Sequence, residues 1–266
     1  MIHEHGGGGS RRAEEQWGTV ITVDVRGLDD ERVVDECFAF FRRVDDLFST
    51  WRPETEIMRI GRGELRRTDA SPEVDEVLAL CEQMRLESGG AFDITAGGLP
   101  NVPERPGRAP IDPSGLVKGW AVAKAGEMLR AAGAHCFFVS AGGDLVAVGH
   151  PEENPPGWRV GVQHPWEKEH VAAVLTITGA AVATSGRYER GDHIIDPRTG
   201  RPAVGLASVT VVGPDLTVAD AYATAALVLG PGDGMRWLAT RAGYEGMSIA
   251  DDRTVVTTTG FDRYRR

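Results

Sequence analysis

The chain has 266 residues, 41% hydrophobic and 26% charged, which suits one large folded domain or two small ones and excludes wholesale disorder. Acids outnumber bases 39 to 29, a formal charge of −10, and no basic block occurs, so no nucleic-acid partner is expected. No apolar run reaches the roughly 18 residues that a membrane-spanning helix needs. Lys118, Lys124 and Lys168 are the only lysines beside a large excess of Arg. Any chemistry on phosphates would therefore call for a cation from outside the chain.

Residues 1–15, MIHEHGGGGSRRAEE, lack an apolar h-region and read as a flexible arm, with the folded domain running from 16 to 266. His3 and His5 lie on that arm without a supporting shell for a metal. Thr19–Val25 alternates as a short strand. Over Asp29–Trp51, the residues Val34, Cys37, Phe38, Phe41, Val44, Leu47 and Phe48 form the stripe of an amphipathic helix. Ser71-Pro72-Glu73 opens a second helix, whose apolar face (Val74, Val77, Leu78, Cys81, Met84) runs until Gly89-Gly90 stops it. Cys37 and Cys81 sit on apolar faces, which with Cys136 suggests unpaired thiols in a reducing cytosol. Residues 97–113 form a Pro/Gly-rich loop, and a third helix is expected over Ser114–Ala132.

The apolar run Cys136–Ala141 reads as a buried strand closed by Gly142-Gly143-Asp144. Strands follow at Asp144–Val148, Trp158–Gln163, Val171–Thr178, Val182–Thr184 and Ser208–Val212. Helices at Thr217–Leu229 and Gly232–Ala242 precede strands at Met247–Ala250 and Arg253–Thr258. Helices and strands do not alternate regularly, so the expected class is α+β: mixed or antiparallel sheets with packed helices in a single domain.

Several short segments carry chemistry. Gly61-Arg62-Gly63 has no third Gly at 66 and follows a helix, so it is no dinucleotide fingerprint. Thr217 and Asp220 have the spacing of a capping box. Asp220 and Thr224 also stand at i and i+4 on one helix face, either as a cap with a back-bonded Thr or as hard-oxygen ligands for Mg²⁺. In DPSGLVKG (112–119), Asp112 or Ser114 can cap a helix start. Lys118 is there either a solvated side chain or a deliberate point charge. His193 leads HIIDPRTG, a hairpin end or the setting of a general base. Ala91-Phe92-Asp93 after Gly89-Gly90, and Gly142-Gly143-Asp144 after a strand, are loops where backbone can approach a ligand closely.

Taken in order, WGT (17–19), FSTWRPETEIMRI (48–60), GGAFDIT (89–95), DPSGLVKG (112–119), VSAGGD (139–144), ATSGRY (183–188), HIIDPRTGRP (193–202) and VADAYATA (218–225) resemble the FAD:protein FMN transferase (ApbE-like) family. The resemblance implies a single T-fold-like domain. It also implies a Mg²⁺-dependent enzyme that splits FAD and passes FMN to a Ser or Thr hydroxyl of an acceptor flavoprotein, releasing AMP. Carried over by position, Asp220, Thr224 and the Gly115 carbonyl would hold the metal. Trp17, Trp51, Ala91, Phe92, Asp93, Asp112, Lys118 and Ile195 would contact FAD, with the Gly142-Gly143 turn near the nucleotide and His193 as general base. Trp17 replaces a usual Met and Trp51 a common Tyr, and the loop after Gly98 lacks the family's Asn-Leu-Trp-Gly stretch. With no lipobox or export signal, a cytoplasmic enzyme is expected. The alternatives are a Mg²⁺-dependent FAD pyrophosphatase and a non-catalytic flavin-binding protein.

Overall fold

In a computed structural model, the structure describes residues 9–28, 31–96, 111–151, 157–167, 169–187 and 194–265. Strands β1 (Gly9–Gln16) and β2 (Thr19–Arg26) open the chain, followed by helices α1 (Arg32–Phe48), α2 (Glu56–Arg62), α3 (Pro72–Glu87) and α4 (Ser114–Ala131). Seven strands come next: β3 (Cys136–Ala141), β4 (Asp144–Val148), β5 (Trp158–Gln163), β6 (Val171–Ile177), β7 (Gly179–Gly186), β8 (Ile195–Asp196) and β9 (Arg201–Pro202). Strand β10 (Leu206–Gly213), α5 (Leu216–Leu229), α6 (Asp233–Leu238), β11 (Glu245–Ala250) and β12 (Val255–Thr257) complete the order.

Eight strands form one antiparallel sheet in the order β1-β2-β3-β4-β7-β10-β11-β12, the α+β arrangement expected. Helices α4 and α5 cover one face, joining Leu116, Ala121, Ala219, Ala223 and Leu227 to Val139, Val146, Ala183, Val209 and Val211 in the main core. On the other face the β5–β6 ribbon and Phe261 bury Leu145, Val182, Val212, Met247 and Ile249. Because both faces are covered, β10 is buried at every position and loses the alternation a half-exposed strand shows. Helix α1 buries the expected stripe, with Val33 added, although it ends at Phe48 and leaves Trp51 in the following turn. Burial pushes the Cys37 and Cys81 thiols up to about 12, so both behave as inert core groups.

The expectation of a free arm over 1–15 is corrected from residue 9 onward. Segment Gly9–Gln16 is a full strand, paired with β2 from Gly9↔Arg26 to Gln16↔Thr19. Its sequence carries no apolar alternation because it is the sheet's edge, where polar side chains deter further pairing. It is held by backbone bonds, by the Arg12 ion pairs with Glu14 and Asp35, and by the Arg12 guanidinium 4.6 Å from the Phe38 ring centroid. His3 and His5 lie outside the described residues.

The capping box is also corrected. The N-cap of α5 is Asp215, whose Oδ1 accepts from the Thr217 and Val218 amides. Asp220 is thereby released from capping. It sits inside a helix buried on almost every side, where a polar group must find a partner elsewhere.

Candidate active site

Two tight turns lie side by side at one end of the sheet. Trp17 and Gly18 join β1 to β2 with φ of 55° and 71°, the doubly left-handed pair that a two-residue hairpin with native twist requires. That geometry costs an L-residue about 1–2 kcal/mol. The Trp17 ring is packed edge-on against Phe41, centroids 5.5 Å apart at 89°. Gly142 and Gly143 join β3 to β4, and the Gly142 amide donates to the Val20 carbonyl at 3.4 Å. Gly142 has φ of 60°, and a Cβ there would lie 3.1 Å from the Thr19 hydroxyl oxygen, so conformation and space both select glycine.

These turns border a cleft of about 1160 Å³. Chain from the end of α1 (Phe48–Trp51), the loop after α3 (Ala91–Ile94) and the start of α4 (Asp112–Lys118) contributes to the lining. So do β7 (Thr184–Gly186), Ile194-Ile195 and one face of α5. Trp17, Trp51, Ala91, Phe92, Asp93, Asp112, Gly115, Lys118, Gly142, Ile195, Asp220 and Thr224 therefore come together in one place. Gly143 completes the turn but does not line the cleft, and His193 lies outside the described residues. Trp51 is 74% exposed, offering a flat apolar face to an incoming ring, while Phe92 is buried.

The loop residues are locally braced. The Phe92 amide donates to Ser88 Oγ at 2.9 Å, and Asp93 Oδ1 accepts from the Thr95 amide and hydroxyl. Asp112 Oδ1 accepts from the Ser114 amide at 3.0 Å, but the N-cap of α4 is Pro113, which makes no side-chain cap bond, so neither Asp112 nor Ser114 is the expected cap.

On α5, Asp220 and Thr224 point toward α4 and β7. Thr224 Oγ1 shares a 2.9 Å hydrogen bond with Ser185 Oγ, so Thr224 has a partner besides its own helix. A Cβ on Gly115 would touch that hydroxyl at 3.5 Å, which puts the Gly115 backbone beside Thr224. Asp220 Oδ2 accepts from the Gly119 amide at 3.0 Å.

Behind Asp220 stands a second carboxylate. Asp144 is fully buried, and its Oδ2 is 2.9 Å from the Lys118 ammonium, so Lys118 is an ion-paired point charge and not a solvated side chain. Burial and then the Asp144 charge hold the Asp220 carboxyl well above the usual carboxylate range, while Lys118 and the Gly119 amide oppose them.

The helices meet too closely at Gly119 for any side chain. A Cβ there would lie 2.8 Å from both Asp220 Cβ and the Leu216 carbonyl oxygen. Gly119→Ala is accordingly expected to cost about 1–3 kcal/mol by overpacking, read as a lower urea midpoint at unchanged slope. A midpoint equal to that of the parent chain would mean that α4 and α5 can separate freely here.

A sequence profile described as the ApbE family matches residues 17–110 and 100–247. The chain belongs to the ApbE family. It is 30% identical over 239 residues to the FAD:protein FMN transferase of Escherichia coli strain K12, spanning 70% of this chain and 68% of that protein. The Klebsiella pneumoniae FAD:protein FMN transferase is 29% identical, over 80% and 77% of the two chains. Among solved structures, the flavin transferase ApbE from Vibrio cholerae superposes with a TM-score of 0.81 at 22% identity, covering 99% of this chain and all of that one, which establishes a shared fold.

Within this ApbE-family chain, the motifs VSAGGD and ATSGRY contain Asp144, Thr184 and Ser185 but gave their side chains no role. The signal for Asp144 was present: an acid at the head of the apolar strand Leu145–Val148 is buried at a cost unless a cation meets it. For Ser185 the ATSGRY segment marked the place, but its bond to Thr224 depends on β7 lying against α5.

Proposed function

We propose that this ApbE-family protein is a FAD:protein FMN transferase that acts on a Ser or Thr hydroxyl of an acceptor flavoprotein and uses Mg²⁺. The observation that carries this reading is the donor set on α5 and α4. One carboxylate (Asp220), one hydroxyl (Thr224) and the neighbouring Gly115 backbone present hard oxygens to a cleft lined by further acids, Asp45, Asp93 and Asp112. Among the described lining residues Lys118 is the lone cationic side chain, and it is already paired with Asp144. Such a cleft would repel a dinucleotide's pyrophosphate unless a cation intervened. The donors fit Mg²⁺, which characteristically binds through one or two carboxylates and completes its shell with water and substrate phosphates. Asp220, Thr224 and the Gly115 carbonyl would hold the ion. It would supply charge neutralisation at the pyrophosphate.

The chain's own residues do the rest. Trp17, held edge-on by Phe41, and the exposed face of Trp51 offer surfaces on which flavin or adenine rings stack. The braced 91–93 loop and the Gly142-Gly143 turn let backbone approach the nucleotide. In the transfer, the acceptor hydroxyl oxygen bonds to the FMN phosphorus as the P–O bond to AMP breaks, and His193 takes the hydroxyl proton. The formal charge of −10 is then no obstacle to a phosphate substrate. Among the described residues, no helix is long and apolar enough to cross a membrane. The cytoplasmic setting we propose is supported by the unpaired Cys37, Cys81 and Cys136.

The test is intact-mass spectrometry of candidate flavoproteins after incubation with the enzyme, FAD and Mg²⁺. A gain of one FMN on the acceptor, with AMP released, is expected. Free FMN in multiple turnovers without acceptor labelling would make the protein a pyrophosphatase. Intact FAD retained throughout would make it a flavin carrier. His193→Ala should slow transfer by about 10²–10⁴-fold, the range of general-base catalysis, while FAD affinity changes little. Equal losses in rate and affinity would make His193 a binding residue.

A further inference from the structure

Asp144 lies at the point where the Gly142-Gly143 turn feeds β4, and the β4–β7 ladder ends at Leu145↔Val182. Beyond that pair the Thr184 amide has no strand partner on the β4 side, and Asp144 Oδ1 takes it at 3.2 Å. This bond and complete burial hold the carboxylate in place. Its other oxygen, Oδ2, is 2.9 Å from Lys118 Nζ. Lys118 is next to Gly119, whose amide donates to Asp220 Oδ2, so one turn of α4 serves both acids. Lys118 and Asp220 line the same cleft, and the Lys118 and Asp144 charges both act on the Asp220 carboxyl. Two buried acids thus have one ammonium between them, and the acid that holds it decides whether the other is open to a second cation.

We propose that Asp144 is a positioning residue whose carboxylate holds the Lys118 ammonium off Asp220, leaving Asp220 open to a divalent cation. Without the Asp144 charge, Lys118 turns toward Asp220, the other buried carboxylate of the cleft, and a point charge then occupies the cation's place. The inference rests on the reading of Asp220 and Thr224 as metal ligands.

The probe is Mn²⁺ alone, titrated calorimetrically into the full chain without FAD. Asp144→Asn keeps an acceptor for the Thr184 amide and removes the charge. It is expected to weaken Mn²⁺ binding by about 10–100-fold, the usual range for a group that orients a metal ligand. Adding Lys118→Met should bring affinity back to within about twofold of the parent chain, the tolerance of independent effects. Lys118→Met by itself should bind Mn²⁺ no more weakly than the parent chain.

A residue that merely filled space would give no such rescue. Unchanged affinity in Asp144→Asn overturns the proposal, as does a double variant as weak as the single. Should Asp144→Asn fail to fold, weakened binding in Lys118→Met overturns it instead. If the parent chain binds no Mn²⁺, the metal reading falls and the proposal with it. Loss in Asp220→Asn with retention in Asp144→Asn overturns only the role of Asp144.

Discussion

Asp220→Asn is expected to lower FMN transfer by more than about 100-fold while leaving the chain folded. The carboxylate is the charged member of the donor set with Thr224 and Gly115, and orienting groups that merely support a ligand already account for 10–100-fold. The substitution is nearly isosteric, and an amide oxygen can still accept from the Gly119 amide at the α4–α5 contact. Stability should move in the opposite direction from activity.

The folded state holds the Asp220 carboxyl above its ordinary value, chiefly by burial, so the folded chain binds a proton there more tightly than the unfolded chain. Stability from this group therefore falls as pH rises from the unfolded value through the folded one, and the full penalty applies above both. In metal-free buffer above that window, Asp220→Asn should melt no lower than the parent chain. Adding Mg²⁺ should raise the midpoint of the parent chain alone. Full transfer activity in the variant would remove Asp220 from the site, and a collapse of its metal-free midpoint would make it a structural residue.

Phe41→Ala is expected to give the largest loss of stability, about 3–5 kcal/mol, a large part of the roughly 5–15 kcal/mol that holds an ordinary domain folded. Phe41 is wholly buried at the centre of an aromatic cluster, 5.8 Å from Phe38 and 5.5 Å from Trp17, centroid to centroid. Its removal leaves a cavity beneath the β1–β2 turn and takes away the contact that holds Trp17 in a left-handed conformation. FAD affinity should weaken in parallel, which ties the core to the cleft. Guanidinium denaturation and fluorescence titration with FAD measure the two effects. A stability loss under about 1 kcal/mol would mean that the surrounding side chains close the gap. Unchanged FAD affinity would separate Trp17 from the flavin.

Much of the architecture was legible before any coordinates. The α1 stripe, the Pro72 start of α3 and the run Cys136–Ala141 each follow from local pattern, and local pattern is what propensity and periodicity encode. Two readings failed although the deciding partner lies close in sequence, β2 across a two-residue hairpin in one case and an Asp two residues before Thr217 in the other. Segment 9–16 is polar and looks unstructured until β2 gives it a ladder. Thr217 and Asp220 have the spacing of a capping box, but Asp215 caps the helix and tertiary burial turns Asp220 inward.

The site divides in the same way. Composition determined that this acidic, lysine-poor chain would need an external cation for phosphate chemistry, and motif order pointed to the segments that line the cleft. Only the tertiary structure decided what Lys118 does. Its ammonium is committed to Asp144, which lies far away along the chain but 2.9 Å away in space. A sequence displays neighbours along the backbone, whereas the energy of a buried charge depends on its neighbours in space. Those are chosen where β4 and α5 close on α4.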